Sequence, residues 1–503
     1  MLSIPLGNIP GHYAARLGSA AAAVRFGESA TSWGDLDARS TRRAHALAVL
    51  GVVQGDMVTL SLDNSIDFFE WTFAVWKLGA VPHLVSWRVP DGELTAMLDL
   101  ARPAAVIATE QERLAHLGAL PTSWGLAEGK DDPLPQMVSP YWKAMSSGGS
   151  TGRPKIIVDH KPGSHVVGST YLQVAEGEVV LNPGPLYHNA PFSMAHNALF
   201  NGNPLITTAR FDAEETLRLI DRWNVASVNF VPTMMLRIWR LPDEVKARYD
   251  VSSLRNVWHM AAPMPAWLKK AWIEWLGAEK INEAYAGTEA VGATTINGVD
   301  WLAHEGSVGR PRNCVVRVLD EAGAEVPTGT VGEIWLKPTI ANKGYHYVGA
   351  IQRGGDGGFE SLGDYGWVDD DGYLYLADRR TDLIISGGSN IFPAEVESAI
   401  MEHPSVEVAV VIGLPNEDFG SAVHAIVRLR DGHNQPVDCA GLLEFLRTRL
   451  VTYKLPRSIE FTDDPLRDDA GKVRRSQLRE QRLGTAFDGP NPAAVPTNTK
   501  EKS

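Results

Sequence analysis

Cysteine is scarce in this chain: Cys314 and Cys439 are the only two among 503 residues, and they stand far apart. That excludes a disulfide framework and a CxxC metal site, and it fits a reducing compartment. Basic charge is also short. The 47 Lys and Arg are outnumbered by 60 Asp and Glu, for a net charge of −13. A nucleic-acid partner would call for a basic face, so none is expected. No apolar run reaches the ~20 residues of a membrane span. The opening MLSIPLGNIPGHYAARLG has neither a charged start nor a long apolar stretch. No signal peptide is expected, and the cytoplasm is the expected location. Internal repeats are missing, as is the GxxxxGK[ST] phosphate loop.

The length gives room for about two to four domains. The 15 Trp read as core and interface packing rather than as a specialised aromatic site. Residues 57–62 (MVTLSL) read as a buried strand, 66–78 as a helix stopped by Gly79, and AVPHLVS as a strand again. The same alternation returns at 104–110, 204–209, 216–223 and 227–232. It predicts an α/β architecture with largely parallel sheets, in which ligands sit beyond the C-terminal strand ends. From about Val315 the texture becomes strand-like, with Gly and Asp turns, and suggests an antiparallel or barrel-like subdomain ending near Arg380. After Thr381 about a hundred residues of mixed pattern follow, with helices expected at 393–402 and 440–450. The expected domains are 1–380, 381–483 and a disordered polar tail, 484–503.

Four stretches carry chemistry. The first is MSSGGSTGRPK, Met145–Lys155. Gly148, Gly149 and Gly152 leave backbone N–H groups open to close approach. Ser146, Ser147, Ser150 and Thr151 add hydroxyls, and Lys155 adds a charge. The alternative is a flexible linker, which the strand-like residues after Pro154 disfavour. The second is YAGTEAVG, where Thr288 could meet a phosphate and Glu289 its Mg²⁺; the alternative is a helix cap. The third runs from Glu360 to Ile400. In it Asp364 could accept ribose hydroxyls, with Arg379 fifteen residues on. Asp369–Asp371 read as a hairpin turn with Gly372, and Glu395 and Glu397 as helix-start acids behind Pro393. The fourth is PLRDDAGKVRRSQLR, with Lys472 on a glycine turn; the alternative is a solvated basic patch.

Taken in this order, the four stretches resemble the adenylate-forming superfamily of acyl-CoA synthetases, adenylation domains and luciferases, over roughly residues 10–480. PLYHNAPF, VPTMMLRIW and WHMAAPMP are most similar to bile-acid-CoA-ligase-like members. The resemblance implies a large N-terminal domain of stacked α/β sheet subdomains plus a barrel-like β subdomain, and a small mobile α+β C-terminal domain. It implies ATP, Mg²⁺ and coenzyme A as cofactors and a carboxylic acid as substrate, activated as acyl-AMP and released as a thioester. It implies that Ser147, Gly149, Ser150, Thr151, Gly152 and Lys155 hold the β- and γ-phosphates. Tyr285 would stack on adenine, Thr288 would meet the α-phosphate and Glu289 the metal. Asp364 and Arg379 would hold the ribose, and Lys472 would bridge carboxylate and α-phosphate. His188 would gate the acyl site, lined by Met194, Val231, Ala262, Ala286 and Gly287. Ser386, Gly387 and Gly388 would line the pantetheine tunnel, with Thr381 at the hinge. Three positions depart from the family pattern: Gly148 for Ser or Thr, Ala286 for Gly, and Thr381 for Asp or Lys. The departure at Thr381 leaves a second outcome open, in which acyl-AMP passes to a separate acceptor or carrier protein. A homodimer is also compatible with the sequence.

Overall fold

A computed structural model of the chain describes residues 2–127, 130–148, 154–340, 344–352, 354–379, 382–386, 389–416, 419–430, 437–468 and 471–483. The chain divides into two compact units. One comprises Met1–Leu319, Ile334–Leu362 and Val368–Tyr375; the other comprises Asp320–Glu333, Gly363–Trp367 and Leu376–Ser503.

The first unit is organised around helix Ile66–Lys77. Ser65 caps it by accepting from the Phe68 N–H at 3.3 Å, and Gly79 follows it at φ +67°, a turn conformation that favours glycine. Phe68, Phe69, Trp71, Phe73, Val75 and Trp76 are all buried. A helix so rich in apolar side chains belongs inside a protein, and its buried Glu70 is paired with Arg39 and Arg43. Full burial of each such apolar side chain contributes roughly 1.5–3 kcal/mol. Trp33, Trp71, Trp76, Trp272 and Trp301 are among the largest fully buried side chains, so the expected packing role holds for them.

Two large sheets flank this core among the described residues. One has seven strands, in the order Tyr345–Val348, Pro154–Asp159, Lys143–Gly148, Val81–Leu84, Met57–Ser61, Ala105–Ala108, Leu120–Pro121. Lys143–Gly148 runs parallel to Val81–Leu84 and antiparallel to Pro154–Asp159. The other has thirteen strands. Its centre is parallel, through Leu205–Thr207, Val180–Asn182, Ser227–Phe230, Asn256–Met260 and Ile281–Ala286. It turns antiparallel at Ala293–Asn297 and Ser307–Arg312. The strand-rich stretch after Val315 supplies its far end through Cys314–Leu319, Gly332–Pro338, Glu360–Val368 and Leu374–Arg379.

The second unit holds the C-terminal residues. Strands Val406–Asn416, Gly420–Leu429 and Ser458–Phe461 form a sheet, with helices Pro393–Met401 and Cys439–Arg447 packed on a core of Ile384, Val396, Ile400, Val411, Val427 and Leu446. Pro393 occupies the first helical turn, as the sequence predicts. Glu397 is buried and receives Arg467 at 3.2 Å, Arg475 at 2.6 Å and the Val411 N–H at 2.9 Å. It is a structural acid, as expected. The architecture is thus mixed α/β, with a large body of several sheets and a small C-terminal α+β body. The expected tail, 484–503, lies outside the described residues.

Candidate functional site

Pairing of Lys143–Gly148 with Pro154–Asp159 places Ser147 opposite Lys155 and Lys143 opposite Asp159. Side chains alternate along a strand, so Lys143 and Lys155 share one face of the sheet. Tyr347 reaches that face from the neighbouring strand, whose register sets it against Ile157. The loop between the two strands, carrying Gly149, Ser150, Thr151 and Gly152, lies outside the described residues, as does the side chain of Ser147.

The YAGTE stretch comes off the parallel centre of the large sheet. Strand Ile281–Ala286 ends in a turn closed by the Ala290 N–H on the Gly287 carbonyl at 3.2 Å. Thr288 and Glu289 occupy this turn, and no helix starts there, which removes the helix-cap alternative. A Cβ at Gly287 would stand 2.5 Å from Leu362 Cδ1 and 2.9 Å from Glu289 Oε2, so a side chain there would have to displace the ends of both. Glu289 is buried, and its Oε1 lies 3.3 Å from Lys155 Nζ. The Tyr347 hydroxyl donates to the same oxygen at 2.7 Å and accepts from Lys155 Nζ at 3.1 Å. Lys155 also sits 4.1 Å from the centre of the Tyr347 ring. Burial, and then the charge of Glu289, push the Tyr347 phenol up, so it remains a proton donor. Two residues singled out from sequence are therefore joined by a third that was not. Tyr347 lies in GYHYVG, where strand alternation is visible but the partner strand is not.

Tyr285 is half-buried on the strand that leads into this turn. The same strand carries Glu283, which accepts from Lys269 of helix Ala266–Leu276 at 2.5 Å, and His259 on the neighbouring strand is 3.6 Å from the same carboxylate. Burial, and then the charge of Lys269, hold His259 well below the usual imidazole range, so it is neutral.

The residues expected at the acyl end are spread over four segments of the first unit. His188 occupies the N-cap position of helix Asn189–Phe200 without capping it through its side chain, and its ring lies 4.7 Å from Tyr187. Met194, on the same helix, is buried in the main core. Val231 precedes helix Pro232–Trp239 and is buried. Ala262 follows Ala261, which holds φ +74°, a left-handed conformation costly for alanine. Ala286 is exposed at the strand end, next to Gly287.

The remaining candidates belong to the second unit. Asp364 is buried on Glu360–Val368 after Gly363, at φ +83°. Ser386 ends strand Ile384–Ser386. Lys472 is exposed; its N–H bonds to Asp468 Oδ1 and its carbonyl to the Asp468 N–H, both at 2.9 Å. Arg467 supports that turn through the Gly471 carbonyl at 3.0 Å while holding Glu397. The Arg379 side chain and residues Thr381, Gly387 and Gly388 lie outside the described residues.

Comparison with known proteins gives a consistent picture. Residues 12–346 match the AMP-binding enzyme family, and residues 395–472 match the AMP-binding enzyme C-terminal domain. Feruloyl-CoA synthase of an Amycolatopsis species is 33% identical over 485 residues, covering 93% of this chain and 97% of that protein. The long-chain-fatty-acid–CoA ligase FadD13 of Mycobacterium tuberculosis is 31% identical over 480 residues, covering 90% and 93%. The solved structure of o-succinylbenzoate CoA synthetase (MenE) from Bacillus subtilis, in complex with the acyl-adenylate intermediate OSB-AMP, shares the fold. Its TM-score is 0.80 at 24% identity, over 95% of this chain and 99% of that one.

Proposed function

The chain belongs to the AMP-binding enzyme family, and on that premise we propose that it is an ATP-dependent acyl-CoA synthetase for a bulky apolar carboxylic acid. The observation that carries this reading is the meeting of Lys155, Glu289 and Tyr347 in one cluster. A cation and a buried carboxylate side by side are what a magnesium polyphosphate needs. Magnesium takes one or two carboxylates and fills its octahedron with water and phosphate oxygens, which a single Glu289 fits. When bound there, it would offset charge on the polyphosphate.

A carboxylic acid with a pKa of about 4–5 is already ionised at neutral pH. Its oxygen attacks the α-phosphorus, the bond to pyrophosphate breaks, and no general base is required. Catalysis then rests on positioning and on charge stabilisation. Lys155 and the loop at 147–152 draw the departing pyrophosphate, Thr288 meets the α-phosphate, Tyr285 stacks on adenine, and Asp364 and Arg379 hold the ribose. A domain of residues 1–380 binds ATP and the acid, and a domain of residues 381–483 brings Lys472 to the reacting oxygens. In the second step the thiol of coenzyme A, losing its proton, attacks the acyl carbonyl, and AMP leaves. Ser386, Gly387 and Gly388 line its path, with Thr381 as pivot.

Small or apolar side chains at Met194, Val231, Ala262, Ala286 and Gly287 favour a steroid or other polycyclic terpenoid acid, or a medium-chain fatty acid. The relatives, named for feruloyl and long-chain fatty acyl substrates, span a range that leaves such acids within reach. The test is pyrophosphate release with Mg-ATP across cholate, polycyclic terpenoid acids and C8–C12 fatty acids, followed by mass-spectrometric detection of the CoA thioester. Acid-dependent pyrophosphate and a matching thioester are expected for one of these classes. Release with none of them would overturn the substrate assignment.

A further inference from the structure

Lys143 is a lysine inside the protein that the proposed chemistry does not use. Its side chain is 2% exposed. It donates to Asn189 Oδ1, the first residue of helix Asn189–Phe200, and its nearest carboxylate, Asp159, is 3.7 Å away. Its ammonium also lies 4.6 Å from the Trp142 ring centre. A buried cation is costly, and the start of a helix, with its partial positive charge, is a poor place for one. A methionine would fill the same space without that cost, so the position calls for a role beyond packing.

The register suggests the role. Lys143 begins the strand that runs into the loop at 149–153, on the same sheet face as Lys155. Ser147 lies four residues further along the strand, a span of about 13 Å. At its own end it grips the residue next to His188. We propose that Lys143 is a positioning residue: through Asn189 it pins the His188 corner, the acyl end of the site, to the strand that carries the phosphate loop. This rests on the reading of the loop and of His188 given above. One rigid strand then sets the spacing between the acid and the polyphosphate, which an in-line attack requires. The charged groups facing Lys143 are Asp159 and Lys161 beside it and Glu289 from the turn across the site. Burial lowers the Lys143 ammonium to about 8.

The first readout needs no substrate. Hydrogen exchange over residues 185–195 of the full chain should rise about tenfold in Lys143→Met and in Asn189→Ala, the loss expected for one hydrogen bond to a charged group. Residues 57–84 should be unchanged. Asn189→Ala keeps the buried charge, so it decides the matter if Lys143→Met loosens the whole protein. Unchanged exchange at 185–195 in Asn189→Ala overturns the proposal.

The second readout is pyrophosphate release with cholate and with decanoate. Either single variant should raise the KM for the acid about tenfold while the KM for ATP stays within about twofold, and the double variant should be no worse than a single one. Multiplying losses, or equal rises in both KM values, overturn it. Wild-type kcat/KM for the acid should fall as pH rises through about 8, and Lys143→Arg should remove that limb, because arginine keeps its charge. A limb that persists in Lys143→Arg also overturns it. If neither acid releases pyrophosphate from the wild type, it is the substrate assignment that fails, and the exchange result still decides the role of Lys143.

Discussion

At the scale of single residues, the site turns on atoms that face each other across strands. Tyr347 is the sharpest case, because its phenol serves the ammonium of Lys155 and the carboxylate of Glu289 at once. Tyr347→Phe keeps the ring beside Lys155 and removes the hydroxyl alone. Lys155 then loses an acceptor that holds it in reach, and Glu289 loses a donor that leaves it free to turn more fully onto Lys155. Mg-ATP would have to open that tighter ion pair in order to bind. One hydrogen bond to a charged partner is worth about 1.5–3 kcal/mol, so calorimetry should show the Kd for Mg-ATP rising about ten- to a hundredfold. Binding as tight as in the wild type would mean that Tyr347 only packs. The sequence alone suggests Lys155 and Glu289, since a charge after a glycine-rich loop and a Thr–Glu pair in a turn have chemical meaning by themselves. It does not suggest Tyr347, nor Lys143, because their roles exist only once Tyr345–Val348 pairs with Pro154–Asp159 and helix Asn189–Phe200 packs nearby.

At the scale of elements, much more is legible. Residues 66–78 read as a helix through their apolar spacing and closing glycine, and 57–62, AVPHLVS and 227–232 read as strands through short apolar runs; the structure places them at 66–77, 57–61, 81–84 and 227–230. The order of strands within a sheet is not legible, since it depends on crossovers between distant segments. Neither is the use these elements make of buried histidine. His83 on Val81–Leu84 bonds Thr59 at 2.9 Å and Ser146, just before the proposed phosphate loop, at 2.8 Å. His196 on Asn189–Phe200 sits among Phe69, Trp76 and Phe192. Burial lowers His83 to about 4 and His196 to about 3. Both are neutral in the folded chain, and the unfolded chain takes up their protons first as pH falls. Their stabilising contribution is therefore complete above pH 6.5 and is lost as pH drops toward the folded values. Between pH 6.5 and 5 each group should cost about 2 kcal/mol of stability. Urea unfolding should thus weaken over that window. His196→Phe, which fits the aromatic surroundings, should flatten the slope by one proton's worth. An unchanged slope in that variant would show that His196 titrates equally in both states.

At the scale of the whole molecule, a net charge of −13 repels the polyphosphate that the proposed reaction consumes. On the proposed reading local cations overcome it: Lys155 on the sheet hairpin and Lys472 on the Asp468–Lys472 turn. The two lysines then divide the reaction between them. On that reading Lys155 attends the leaving pyrophosphate. Lys472, proposed to bridge carboxylate and α-phosphate, acts where negative charge gathers as the new bond forms. Thioester formation makes no new bond at phosphorus, so it gains little from that lysine. Removing a donor aimed at transition-state charge slows a reaction about 10²–10³-fold. Lys472→Ala should therefore slow acid-dependent pyrophosphate release by about that factor, and it should leave thioester formation from preformed acyl-AMP and CoA within about threefold of the wild type. Single-turnover assays of each half-reaction separate the two. Equal losses would falsify the bridging role, because a lysine that matters in both steps is holding the protein together or serving the nucleotide at large. The same assays bear on the departure at Thr381. If the wild type turns acyl-AMP into thioester as fast as it makes it, the chain completes both steps alone. If acyl-AMP accumulates with CoA present while Lys472→Ala still blocks its formation, a separate acceptor protein is required, and the small C-terminal domain serves adenylation only.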